Sequence, residues 1–183
     1  MAPFALSISG QILTGTIHTH DHLTVKYEWH YNKSHWTYVC GQTDGISHCC
    51  TKSPSPDGIS TATWSLPLNL TLSSSNIHGW PRLVLTIYAK DWLGRDVVMG
   101  YGSVIVPLKH GPSFIQCPIY RPEATSMLEG LICWASGSLP HFADPLLPAK
   151  NDHRDLVRTC SSGFVGIKVN IISKGLLDSG LVF

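Results

Sequence analysis

Gly79-Trp80-Pro81-Arg82-Leu83-Val84-Leu85-Thr86-Ile87-Tyr88 leads into Ala89-Lys90-Asp91-Trp92-Leu93-Gly94-Arg95-Asp96. Val97-Val98-Met99-Gly100-Tyr101-Gly102-Ser103-Val104-Ile105-Val106-Pro107-Leu108 follows. The first part reads as a turn feeding an apolar strand, the second as a polar loop with two large side chains, the third as a returning strand. Gly100 and Gly102 mark points where another part of the chain can come close.

Outward from this hairpin, period-two alternation dominates. Val25, Tyr27, Trp29 and Tyr31 alternate with Thr24, Lys26, Glu28 and His30, as in a half-buried strand. Trp64, Leu66, Leu68, Leu70 and Leu72 alternate with Ser65, Pro67, Asn69 and Thr71. Pro67 cannot donate to a ladder, so it belongs at an edge or a bulge. Further strands are expected at Phe4–Ile8, Gln11–Thr16 and Phe164–Ile172. Turn clusters at 53–58, 73–76 and 109–112 separate the strands. Ser126-Met127-Leu128-Glu129 has the form of a capping box, and helical spacing from Met127 to Ala135 follows it. Ser138–Asn151, with three prolines, reads as a loop. The expected class is therefore all-β, an antiparallel sandwich with one short inserted helix at about 126–136. A chain of 183 residues suits a single domain over 1–183, with 175–183 a flexible tail.

Composition bounds the function. The net charge of +1 supplies no field for nucleic acid, and no run of Lys and Arg resembles a nucleic-acid footprint. Charged residues make up only 14% of the chain, against about a quarter in typical globular proteins, so either part of the surface is covered by partners or the surface is built from Ser, Thr, Asn and His instead. Cys40, Cys49, Cys50, Cys117, Cys133 and Cys160 form no C-x-x-C pair. The N-terminus has no basic region before an apolar core, so no signal peptide is expected, and free thiols in a reducing cytoplasm follow.

Two segments carry metal-ligand residue types. His18, His20 and His22 of His18-Thr19-His20-Asp21-His22 would share one face of a strand, but a turn with solvated imidazoles is the better reading. Cys40, His48, Cys49 and Cys50 lack two separated ligand pairs, and adjacent Cys49 and Cys50 cannot easily take two corners of one tetrahedron. No Gly-x-Ser-x-Gly elbow or Gly-rich phosphate loop is present. The chain is read as a binding protein, not an enzyme, with no cofactor and no metal.

The loop at 89–96 is similar to the third calcium-binding loop of C2 domains. Asp91 stands where one acidic ligand would be, but Ala89 and Val97 occupy the places of others, too few ligands for calcium. The set Gly79-Trp80-Pro81, Val84-Leu85, Tyr88, Gly94-Arg95-Asp96-Val97-Val98, Gly100-Tyr101-Gly102 and Val106-Pro107 resembles the B9 domain family. Ser7-Ile8-Ser9-Gly10-Gln11-Ile12, Gly45-Ile46-Ser47, Trp64-Ser65-Leu66-Pro67, Pro122-Glu123-Ala124-Thr125-Ser126, Asp144-Pro145 and Ser162-Gly163-Phe164-Val165 extend it over about residues 6–174. The resemblance implies a C2-like sandwich of the ciliary transition zone and basal body. It also implies a hetero-oligomer with other B9-domain proteins and Meckel-syndrome complex subunits, serving ciliogenesis and the barrier to ciliary membrane proteins. A calcium-independent peripheral lipid-binding module is the alternative, with weak ciliary membrane contact. In either case Lys90, Trp92, Leu93 and Arg95 are the residues expected to meet a partner or membrane. Trp80, beside a turn and Pro81, reads as packing at the sandwich end.

Overall fold

The computed structural model describes residues 3–18, 20–54, 58–91, 93–123, 141–142, 144–150 and 158–176. The helix expected at about 126–136 lies outside them. Among the described residues eleven strands run β1 (Phe4–Ile17), β2 (His22–His30), β3 (Trp36–Gly41), β4 (Asp44–Ile46), β5 (Cys50–Thr51), β6 (Ser53–Pro54), β7 (Ser60–Ser74), β8 (Arg82–Lys90), β9 (Asp96–Ile105), β10 (Gly111–Pro122) and β11 (Thr159–Lys174). Every pairing is antiparallel, in the order β3-β7-β1-β11-β10-β9-β8-β2-β4, with β5 on β2 and β6 on β7.

The path curls on itself to form a C2-like sandwich. One layer is β3-β7-β1-β11-β10 and the other β9-β8-β2-β4. They are continuous at one corner, where β10 and β9 share the single pair Tyr120 and Tyr101. On the far side the layers are tied by the Trp64 indole N–H of β7, which donates to the Leu23 carbonyl of β2 at 3.1 Å. Between them lies a core of alternate residues: Leu6, Ile8 and Ile12 from β1, Val25 and Tyr27 from β2, Leu68, Leu70 and Leu72 from β7, and Val165, Ile167 and Val169 from β11. Period-two alternation thus becomes one inward row per strand.

The two strands expected at 4–8 and 11–16 are one continuous β1, with a register shift between Ile12 and Thr14. The same shift falls opposite Trp64 and Ser65 of β7, where Ser65 takes a positive φ of 49°. Pro67 pairs with Gln11 of β1, but β3 on its other side ends at Gly41 opposite Leu70. It sits at a local edge, as its missing N–H requires.

Strand β10 was not expected, because Pro112, Pro118 and Pro122 suppress the strand signal. Its prolines are tolerated because only Tyr120 pairs with β9, so most of β10 has one open side. Gly100 and Gly102 make the corner. A Cβ on Gly102 would stand 2.7 Å from Cys117 Sγ and from Ile119 Cδ1, and 2.8 Å from the Pro118 oxygen.

Strand β8 is buried on both faces at Leu83, Val84, Leu85, Thr86 and Ile87. Leu83, Leu85 and Ile87 face the core. A strap over 144–150, containing a 3-10 turn at Leu147–Ala149, covers the other side. Pro145 and Leu146 close a crevice over Val84 and Thr86. Ser103 Oγ donates to the Pro148 oxygen at 2.7 Å, and the Phe142 ring packs on Tyr101 at 5.0 Å between centroids. Gly175 and Leu176 still belong to the body, with Leu176 buried; residues 177–183 lie outside the described set.

Candidate functional site

The loop joining β8 to β9 is built around one carboxylate. Asp91 Oδ1 accepts the backbone N–H groups of Leu93 and Arg95, each at 2.8 Å, and Oδ2 accepts Arg95 Nε at 2.8 Å. The backbone closes the ring: Asp91 N–H donates to the Arg95 oxygen and Gly94 N–H to the Asp91 oxygen, both at 3.0 Å. Gly94 supplies the left-handed residue, at φ 77°. Next to it, Lys90 Nζ meets Asp96 Oδ1 at 3.1 Å. Desolvation works to raise the Asp91 pKa, but the backbone and side-chain hydrogen bonds from Arg95 outweigh it and hold the carboxyl below its ordinary value.

Sequence reading counted two cations on this loop. The structure pairs both with carboxylates, so its charges cancel locally. Leu93 is 55% exposed and is an apolar point at the tip; Trp92 lies outside the described residues. Ala89 is buried in the core, so the position where a further acidic ligand was considered belongs to the packed interior.

The histidine segment is a turn between β1 and β2. His22 Nδ1 shares a hydrogen bond with Thr51 Oγ1 at 3.2 Å, and Asp21 pairs with Lys52 at 3.4 Å. His20 Nδ1 is buried without a partner among the described residues. Burial, then the charges of Lys52 and Arg121, push its pKa down, with Asp21 opposing. Cys40 lies on β3 beside β7, whereas Cys50 lies on β5 beside β2 and directs its thiol to the Thr63 oxygen at 3.1 Å. Among the described residues no three His, Cys, Asp or Glu side chains gather to hold a metal.

The layers differ sharply outside. The β9-β8-β2 layer is covered by the 144–150 strap. The outer face of β7-β1-β11-β10 carries no such cover among the described residues. These strands have 15, 14, 16 and 12 residues, yet their only charged residues are Arg121, Lys168 and Lys174, with no acid. Registry puts Phe114 beside Lys168 and Pro118 beside Phe164 on that face. Phe114, Phe164 and Ile172 are 62%, 51% and 61% exposed. The low charge fraction pointed to a covered surface but not to its place; three charged residues across four strands was the missed signal.

The all-β, antiparallel C2-like sandwich is the fold that the resemblance implies, and direct comparison decides the assignment. A family model described as "Ciliary basal body-associated, B9 protein" matches residues 6–172, from the third residue of β1 almost to the end of β11. The chain belongs to the B9 family. This B9 chain is 36% identical to mouse B9 domain-containing protein 1 over 97% of its own length and 85% of that protein's. It is 34% identical to the human B9 domain-containing protein 1, with the same two coverages. Rat B9 domain-containing protein 2 is 31% identical over 90% of the chain and 91% of that protein. The B9 chain is thus a ciliary-family protein, and among its described residues no helix is long and apolar enough to cross a membrane.

Proposed function

We propose that this B9 chain is a non-catalytic scaffold subunit of the transition-zone Meckel-syndrome (tectonic-like) complex. It assembles with other B9-domain proteins and serves ciliogenesis and the barrier controlling entry of ciliary membrane proteins. The observation that carries this reading is the outer face of β7-β1-β11-β10, uncovered among the described residues. Exposed aromatic and aliphatic side chains set among Ser, Thr, Asn and Gln, without carboxylates, have the composition of an interface core. The occupant is another B9 subunit.

Co-expression of the full chain with a B9 domain-containing protein 2, followed by gel filtration, tests this. The expected result is one co-eluting complex, lost in the Phe114→Glu/Phe164→Glu double variant while circular dichroism stays native. A chain that remains monomeric and shows no affinity refutes the scaffold reading; a double variant that still co-elutes refutes the face. Lys90, Trp92, Leu93 and Arg95 form the proposed secondary contact, with a partner or a membrane, because Leu93 projects from the loop tip. Sedimentation with anionic liposomes, with and without calcium, decides whether that contact is lipid.

A further inference from the structure

At the end of the sandwich remote from the 91–95 loop there is an open pocket of about 660 Å³. It is separated from that loop by the length of β8, nine residues or roughly 25 Å. Its walls come from the end of β2, the turns 31–33 and 78–80, the start of β8, the end of β9 and the last residues of the strap.

Lys33, Arg82 and Lys150 line it together with the imidazoles of His30 and His78, and none of the described lining residues is acidic. Lys33 is exposed and makes no ion pair among the described residues. Lys150 is tied to Asp144 at 2.5 Å, so one carboxylate stands behind this wall. His30 stands on the same wall. Burial, then Lys150 and Arg82, push its pKa down, with Glu28 and Asp144 opposing.

The floor is rigid. The Trp80 indole N–H donates to the Val106 oxygen at 2.9 Å, and its ring packs edge-on to Trp36 at 5.3 Å. Trp36 in turn donates from Nε1 to the His78 oxygen at 3.0 Å and packs on Phe4 at 5.5 Å. Gly79, at φ 72°, lets the two turns meet; a Cβ there would stand 2.3 Å from Asn32 Cβ. With its own N–H committed, half-buried Trp80 offers the pocket an aromatic surface, and exposed Ile105 forms an apolar lip.

We propose that this pocket binds a small phosphorylated compound, its phosphate held between Lys33, Arg82 and Lys150 and its uncharged ring body resting on Trp80. Arg82 already has an interaction within the molecule, and the remaining N–H donors of its five-donor guanidinium, with the point charge of the lysines, suit a phosphate. The volume lies in the range of small-ligand pockets, and Trp80, Ile105 and Ala149 supply apolar contact within a mostly polar and cationic lining. A free phosphate ester and a phosphorylated lipid headgroup share this chemistry. The site does not depend on the scaffold reading, since none of its described lining residues lies on β7, β1, β11 or β10.

The full chain is titrated with inositol trisphosphate by calorimetry and with phosphatidylcholine vesicles containing phosphatidylinositol bisphosphate by sedimentation. Saturable one-to-one binding is expected. It should weaken about tenfold in Lys33→Ala, a surface change that leaves folding intact, and further in Lys33→Ala/Lys150→Ala. The His30 pKa, followed by NMR, should rise on binding because the added anion favours the imidazolium. Binding of the free ester without vesicle sedimentation assigns a soluble ligand; sedimentation that the same variants abolish assigns a headgroup. Absence of saturable binding to either probe overturns the proposal. So does binding that the double variant leaves unchanged, or a glutamate-rich peptide that binds more tightly than the ester.

Discussion

The corner between the layers makes an alkaline prediction. Cys117 is fully buried on β10, beneath Gly102 of β9, and burial pushes its thiol from 9.0 up to about 12. The folded state therefore holds this proton more tightly than the unfolded chain. Below about pH 9 both states are protonated and the full stability is present. Above it the unfolded chain loses the proton first, so stability falls as pH rises from about 9 towards 12. With those two values the loss is about 1.4 kcal/mol at pH 10, approaching about 4 kcal/mol at pH 12. In a domain of this size, about 1.4 kcal/mol lowers Tm by about 3–6 °C. Tyrosines and lysines titrate in the same range, so the measurement is the difference between the native chain and Cys117→Ala, which share every other group. Thermal melts by circular dichroism at pH 8, 9 and 10 should show the native chain losing about 3–6 °C more than the variant. Parallel Tm curves across that range would refute the burial argument, as would rapid alkylation of native Cys117 at pH 8 alongside exposed Cys40 and Cys49.

Two further outcomes follow from the hairpin. Gly102→Val places a branched side chain where Cys117, Ile119 and the Pro118 carbonyl already stand, and should cost about 1–3 kcal/mol or more, read as a lowered denaturation midpoint. The Asp91 carboxyl is depressed by its partners, so the order it gives the 91–95 loop is complete above the ordinary carboxylate pKa of 3.8. That order is lost as pH falls through the lower folded value. The Arg95 amide resonance should shift only in that acid range. Millimolar calcium at neutral pH should leave it in place, and a calcium-dependent shift would contradict the closed Asp91–Arg95 ring.

Much of the sandwich was legible because its core strands obey period two. Val25, Tyr27 and Trp29, or Leu68, Leu70 and Leu72, announce an inward row without reference to any partner. The glycine corner was legible for a similar reason, since Gly100-Tyr101-Gly102 breaks a strand with residues that serve only close approach. Strand β10 was not, because Pro112, Pro118 and Pro122 speak against a ladder, and only the open side left by its neighbour tolerates them. The continuity of β1 was hidden by Ser9-Gly10, which read as a break although Gly10 pairs with Leu68 and Val169, and the bulge between Ile12 and Thr14 was hidden because it is settled opposite Trp64 and Ser65, some fifty residues away.

The charge on the 91–95 loop shows why sites are harder to read than strands. Lys90 and Arg95 look like a basic tip when counted along the chain, yet Asp91 and Asp96 are their partners across a five-residue turn. Local charge depends on which side chains fold back on each other, and that is fixed by Gly94 and the Asp91 ring of hydrogen bonds. The pocket at the other end shows the converse. Lys33, Arg82 and Lys150 are far apart in sequence and unremarkable singly, and they converge only because β2, β8 and the strap end at one rim. At the base Lys150 is likewise paired with Asp144, but Lys33 makes no ion pair among the described residues and none of the described lining residues is acidic. Recognition of anions by this chain is therefore expected at the base, and apolar contact at the tip and on the bare sheet.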